Sequence, residues 1–279
     1  MAEALGAAEV RRALEEDQAA RDVTTALLGP AADTIAHGRV VAEERCVVAG
    51  GPVALEVFRQ LDPAVAFTQK VADGSSAGPG TIIAVVRGPA RALLAGERVA
   101  LNFLQRLSGV ATATRRAVDA VAGTGAVITD TRKTTPGLRA LEKYAVRMGG
   151  GENHRLSLAD AVLWKDNHWA LLAGSGRTLA DALGRVPAGL PVTVEVEDDA
   201  QLEAALAAGA RRILVDNQPP ARVAAWAKRS GPAVAVEASG GVTADTARAY
   251  GEAGARYVSI GALTHSARAV AMRLDLTVG

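Results

Sequence analysis

The sequence predicts an α/β protein in which a β/α barrel, closed or nearly closed, follows a smaller part built of strands and helices. Three observations carry this. Six apolar runs end in polar residues: AVITDTRK, AVLWKDNH, VTVEVEDD, RILVDNQPP, VAVEASGG and YVSIGALT. Helical stretches separate the later runs, and strand-end carboxylates recur 21 residues apart, from Glu195 to Asp216 to Glu237, the spacing of parallel βα units. So many units in succession favour a barrel over an open doubly wound sheet. No GxGxxG follows a strand, which argues against dinucleotide binding.

In chain order, Ala7 to Gln18 has helical spacing, and Asp22-Val23-Thr24-Thr25 reads as a cap before a short turn. Apolar residues alternate from Ile35 to Val48, as in strands. PVALEVFRQL, Pro52 to Leu61, reads as a helix with proline in its first turn. VAFTQKVADGSSAGPGTIIAVVRG is two β-rich runs around a Gly/Ser/Pro turn, a structural hairpin. Pro89 to Ala122 is strongly helical, with an interruption expected near Leu107-Ser108-Gly109. After the repeats, MRLDLTV, Met272 to Val278, alternates again and is expected to return to the N-terminal part.

Lys and Arg (31) nearly balance Asp and Glu (30) over 279 residues, so no global field draws the chain to nucleic acid or an acidic membrane. The start lacks a signal-peptide apolar core and no later run is long enough to span a bilayer, so the expected setting is the cytoplasm. The single cysteine, Cys46, excludes an intramolecular disulfide and reads as a small core residue beside Val47 and Val48.

Any anion preference must then be local, and one segment supplies it. Arg132, Lys133, Arg139, Lys143, Arg147, His154, Arg155 and Lys165 cluster around Thr134-Thr135-Pro136-Gly137 and Gly149-Gly150-Gly151. Within this cluster Lys143 and Arg147, beside Glu142, read as a solvated helix face. His37, His168 and His265 have no metal-ligand spacing and read as hydrogen-bonded structural residues. Barrel chemistry sits at the carboxyl ends of strands. There the chain places Asp130 to Lys133, Lys165 to His168, Glu195 and Glu197 on one strand face, Asp216, and Glu237. Ser239-Gly240-Gly241 and Gly261-Ala262 occupy the last two strand-to-helix loops, where backbone N–H groups bind phosphate. Carboxylates among so many cations point to ribose hydroxyls or Mg2+ beside phosphates. The residues alone therefore describe a site for a multiply anionic, phosphorylated small molecule. A Schiff-base aldolase using Lys133 or Lys165 remains open, as does a non-catalytic phosphosugar-binding module.

DTRKTTPGLRALEKYAVRMGGGENHR, LWKDNH, VEVE, ILVDN, EASGG and the upstream GERVALNFLQRLSG resemble the quinolinate phosphoribosyltransferase family, in its order and spacing, from about Asp22 to Leu276. The resemblance implies phosphoribosyl transfer from phosphoribosyl pyrophosphate to quinolinate, with loss of CO2, on the way to NAD, with Mg2+. It implies a type II phosphoribosyltransferase architecture: an N-terminal α/β sandwich over residues 1–107, joined by a return of about 264–279, and a seven-stranded α/β barrel over 108–263. It implies a head-to-tail homodimer with shared sites. By resemblance Arg132, His154 and Arg155 clamp the quinolinate carboxylates, and Arg98 enters the partner's pocket. Lys133 and Lys165 lie near the reacting centre and the pyrophosphate. Glu195 and Asp216 face the ribose hydroxyls and the metal, and Ser239, Gly240, Gly241 and Gly261 form the 5′-phosphate loop. Trp164 stands where the family often has an aliphatic residue, and Gln218-Pro219-Pro220 replaces a commoner small-polar run.

Overall fold

The structure, a computed structural model, describes residues 4–278. In chain order the elements are α1 (Ala7–Glu16), α2 (Val23–Ala26), β1 (Ile35–Ala42), β2 (Cys46–Val47), α3 (Gly51–Leu61), β3 (Ala66–Gln69), β4 (Ser76–Ala77), β5 (Ile82–Pro89) and α4 (Ala90–Ala120). Then come β6 (Val127–Thr129), α5 (Arg139–Met148), β7 (Val162–Trp164), α6 (Asp166–Ala173), α7 (Leu179–Leu183), β8 (Val192–Val196), α8 (Asp199–Ala207) and β9 (Arg212–Asp216). The chain closes with α9 (Pro220–Ser230), β10 (Ala235–Ser239), α10 (Ala244–Glu252), β11 (Tyr257–Ser259), α11 (Ala262–His265) and β12 (Met272–Val278). These form two compact units: residues 1–115, 134–150 and 263–279 in the first, 116–133 and 151–262 in the second.

The first unit carries an antiparallel sheet in the order β12-β1-β5-β3, with Ala36 opposite Val278 and Ala42 opposite Met272. The chain's last strand therefore pairs with its first. The apolar faces of β1 and β5 are buried against α3 and α4, with Val40, Ile83, Val57, Phe58, Leu93 and Leu104 at the centre of the core. Asp22 caps α2 as its sequence suggests, its carboxylate accepting from the Thr24 and Thr25 amides at 3.0 Å each. The hairpin forms between β3 and β5, and its Gly/Ser/Pro turn carries β4, which pairs with β2. Cys46 is buried, and burial raises its thiol pKa, so it packs as a small hydrophobe.

Two sequence expectations are corrected here. α4 runs without interruption through Leu107-Ser108-Gly109. Ser108 Oγ accepts from the Ala49 amide at 3.0 Å and donates to the Ala49 carbonyl at 3.2 Å. A methyl on Gly109 would overlap the Arg268 carbonyl. The small residues thus serve close packing, not a turn. Lys143 is no part of a solvated face: it is fully buried on α5 beside fully buried Glu142, and only Arg147 of that stretch is exposed. For Glu142 the reason is Arg106 of α4, which reaches it at 2.6 Å while Glu142 also accepts from the Thr135 amide and hydroxyl at 3.0 and 2.8 Å. This carboxylate is buried because it is paired.

The second unit is a six-stranded, wholly parallel sheet in the order β6-β11-β10-β9-β8-β7. The sequence expects seven strands. Among the described residues the remaining element is one parallel bridge, Thr129 to Glu152, beside β6. The strands are short, and the central ones are buried, with Val194, Val196, Ile213, Val215, Val236, Ala238 and Val258 in the core, as parallel sheets covered by helices require; the edge strand β7 is only partly buried. Three crossover helices dock an apolar stripe, Leu202 and Ala205 on α8, Val223 and Trp226 on α9, Ala247 on α10, whereas α6 buries no residue.

Candidate functional site

Parallel register brings the strand ends of the second unit side by side. Trp164 of β7 pairs with Val194 of β8, Val196 of β8 with Val215 of β9, and Asp216 of β9 with Ser239 of β10. Lys165, Glu195, Asp216 and Ser239 therefore end four neighbouring strands, and βα repeats at 21-residue spacing fold to that result.

Lys165 Nζ lies 3.1 Å from Glu195 Oε2. Glu195 is buried on β8, and that burial pushes its carboxyl pKa up although Lys165 pulls it down. The Trp169 indole N–H donates to the Glu195 carbonyl at 2.8 Å, holding the strand end under α6. His168 Nδ1 accepts from the Lys165 amide at 2.9 Å, a structural role as its spacing suggests. Glu197 joins this set: Glu195, Glu197 and Asp216 each present a carboxylate oxygen within 4.8 Å of the other two.

Past β10 the chain turns through Gly240 (φ 88°) and Gly241 (φ 61°), both left-handed and natural only to glycine. Gly261 follows β11 by two residues. Of these loops the one after β10 lies beside the end of β9, where Ser239 is opposite Asp216.

A second cluster gathers around Glu237, fully buried on β10. Arg212 Nε donates to it at 2.8 Å, the Ser259 hydroxyl donates to its other oxygen, and His154 Nε2 stands 3.6 Å away. Burial alone would raise the Glu237 pKa, but His154, Arg212 and Ser259 outweigh it and the net shift is downward. His154 is oriented from behind: its amide donates to buried Asp130 at 2.9 Å, and its Nδ1 accepts from the Arg155 amide at 2.8 Å. That bond puts the ring proton on Nε2, toward Glu237.

Arg155 donates to the Ala161 carbonyl at 3.0 Å, and its Nε is buried without a hydrogen-bond partner. Burial, and then the charge of Arg132, lower the Arg155 pKa. Two guanidiniums held together in a half-buried place favour an anion between them. Lys133 is exposed, its amide fixed by Thr131 Oγ1 at 3.0 Å.

The second unit thus holds Arg132, Lys133, His154, Arg155, Lys165, Glu195, Asp216, Ser239, Gly240, Gly241 and Gly261, while Arg98 lies exposed on α4 within the first. Sequence reasoning passed over Asn217 and the Trp169 anchor. The signal for Asn217 was present in ILVDN: an asparagine directly after a strand-end aspartate, where left-handed backbone is common.

Comparisons with known proteins agree along the whole chain. Residues 22–108 match the family model for the quinolinate phosphoribosyl transferase N-terminal domain, and 110–275 the model for its C-terminal domain. The nicotinate-nucleotide pyrophosphorylase [carboxylating] of Mycobacterium leprae is 44% identical over 276 residues, covering 96% of this chain and 95% of the relative. The human protein of the same name is 41% identical over 237 residues, 82% of this chain and 78% of the relative. The crystal structure of NadC from Streptococcus pyogenes superposes with a TM-score of 0.92 at 37% identity, covering 98% of this chain and 96% of that one.

Proposed function

The chain belongs to the quinolinate phosphoribosyltransferase family, and from that premise we propose how its own residues carry the family's reaction. The enzyme transfers phosphoribose from phosphoribosyl pyrophosphate to quinolinate, with decarboxylation, giving nicotinate mononucleotide, pyrophosphate and CO2 in NAD biosynthesis. One observation supports the assignment of roles above all others: a lysine and three carboxylates, Lys165, Glu195, Glu197 and Asp216, meet at neighbouring strand ends beside a glycine loop.

In this reading Arg132 and Arg155 hold the two ring carboxylates of quinolinate, and His154, its Nε2 turned to Glu237 and its Nδ1 to the Arg155 amide, supports that clamp from beside it. A planar guanidinium fork matches a carboxylate with two hydrogen bonds. Ser239, Gly240, Gly241 and Gly261 hold the 5′-phosphate through backbone amides. Lys133 and Lys165 face the pyrophosphate. As pyrophosphate departs, positive charge develops on the ribose, and the carboxylates of Glu195 and Asp216 stabilise it where it forms. The ring nitrogen then attacks the ribose carbon. The positive ring nitrogen stabilises the electron pair left on the adjacent ring carbon when its carboxylate leaves as CO2, and a proton taken up from solvent then forms the C–H bond of the nicotinate ring, the surrounding cations favouring the loss of CO2. Lys165 paired with Glu195 at 3.1 Å suits a charged ammonium rather than an imine-forming amine.

Mg2+ is the proposed cofactor. The donor set fits it: three carboxylate oxygens within 4.8 Å of one another, of the hard type this ion takes. Glu195 and Asp216, joined by Glu197, would hold it, and it would neutralise the pyrophosphate as charge builds there. We further propose a homodimer whose sites are shared, with Arg98 entering the partner's pocket. Its supports are the exposure of Arg98 and its place outside the unit that holds every other site residue. On the same reading residues 1–107 with the 264–279 return form the N-terminal domain and 108–263 the catalytic one, in a cytoplasmic enzyme.

Quinolinate labelled in the carboxylate next to the ring nitrogen, incubated with phosphoribosyl pyrophosphate and Mg2+, tests the whole reading. One labelled CO2 should appear for each mononucleotide formed. Mononucleotide formed with its label retained would refute the decarboxylating step.

A further inference from the structure

Asn217 sits at a junction that none of the roles above explains. It directly follows Asp216 and takes φ 52°, one of two non-glycine residues with positive φ among those described. Asparagine tolerates that region better than most residues, yet glycine would adopt it at no steric cost. The backbone alone therefore does not ask for asparagine. Its side chain does something a glycine cannot: Nδ2 donates to Asp216 Oδ2 at 2.6 Å. Its backbone N–H donates to the Ser239 carbonyl at 2.9 Å, tying the end of β9 to the end of β10. The amide also lies against Gly240, where an added methyl would overlap Asn217 Oδ1. One residue thus touches the strand-end carboxylate and the glycine loop at once.

We propose that Asn217 is a positioning residue for the transfer step: its side-chain amide fixes the Asp216 carboxylate against the Gly240 turn. The inference rests on the reading of Asp216 given above. A carboxylate with two rotatable bonds, half-buried at a strand end, has several rotamers open to it, and an amide donor holding one oxygen selects among them. The other oxygen keeps its lone pairs for the ribose or the ion near Glu195 and Glu197. Because the interaction matters where charge develops, losing it should lower kcat more than it raises KM.

Asn217→Gly separates the two explanations for the residue. It relieves the left-handed backbone while removing the donor. The expected result is a midpoint of thermal unfolding equal to or above wild type, kcat lower by about tenfold or more, and KM for quinolinate within about twofold. Asn217→Asp, which keeps size and backbone preference but replaces the donor with a second carboxylate, should lose kcat at least as far; it stands in if the glycine variant fails to fold. Wild-type kcat in Asn217→Gly would overturn the inference. Asp216→Asn, run alongside, separates the inference from its premise. An inactive Asp216→Asn beside a fully active Asn217→Gly sinks the inference alone, whereas a fully active Asp216→Asn sinks the role of Asp216 and the inference together.

Discussion

At the scale of residues, Glu195 and Glu237, buried carboxylates of the second unit, are each met by a cation that reaches in to them. Glu237 shows this most fully, with Arg212 at 2.8 Å, the Ser259 hydroxyl in contact, and His154 at 3.6 Å. Thr129 and Ser259 extend the chain of hydroxyls at 2.6 Å. The pH consequence follows from sign. The Glu237 pKa is lower folded than unfolded, so its stabilisation is present above the unfolded value and is lost as pH falls through the folded one. Glu237→Gln leaves Arg212 and His154 without their carboxylate and should cost of order 3 kcal/mol at neutral pH. Urea unfolding across pH 3 to 7, a range set by ordinary carboxylate titration, should show the wild type converging on the variant as acid removes the charge they differ by. A constant gap between them would contradict this account.

At the scale of elements, the sequence spoke clearly wherever one period sets one outcome. Glu195 and Asp216, 21 residues apart, came to neighbouring strand ends through parallel register, whereas Glu237, expected at the next strand end, lies inside β10 opposite Leu214. Alternation in MRLDLTV became β12, paired with β1. Legibility failed where burial depends on a partner far along the chain. Glu142 looks like any exposed helix charge until Arg106, 36 residues upstream, is brought to it. Leu107-Ser108-Gly109 looks like a break because Ser and Gly usually mark one; only the fold reveals Ala49 and Arg268 packed against them. Asn217 differs: its place after a strand-end aspartate is legible in ILVDN, but its contact with Gly240 on the next strand's loop is not. Gly109→Ala tests the element-level reading. Helix propensity alone would make alanine stabilising by about 1 kcal/mol, whereas overlap with the Arg268 carbonyl should make it destabilising by about 1–3 kcal/mol. Chemical denaturation decides the sign, and a stabilised variant would mean that the contact is not tight.

At the scale of the whole molecule, near-neutral net charge and a strongly cationic site are compatible because the cations are concentrated in one segment, from Arg132 to Lys165. The proposed shared site predicts complementation. Arg98→Ala and Lys133→Ala should each be nearly inactive alone, and a purified heterodimer should recover activity in the one site spared both lesions; heterodimers as inactive as either parent would exclude sharing. The central claim is that this site is built for two carboxylates on one ring. Arg155 is half-buried near Arg132, with its Nε making no hydrogen bond, and on the proposed reading a monocarboxylate would leave part of this cationic charge unmatched. The discriminating measurement is the ratio of kcat/KM for quinolinate to that for nicotinate, with phosphoribosyl pyrophosphate saturating. Leaving one or two such groups unmatched should make nicotinate poorer by about 100-fold or more. Comparable values for the two substrates would contradict the account.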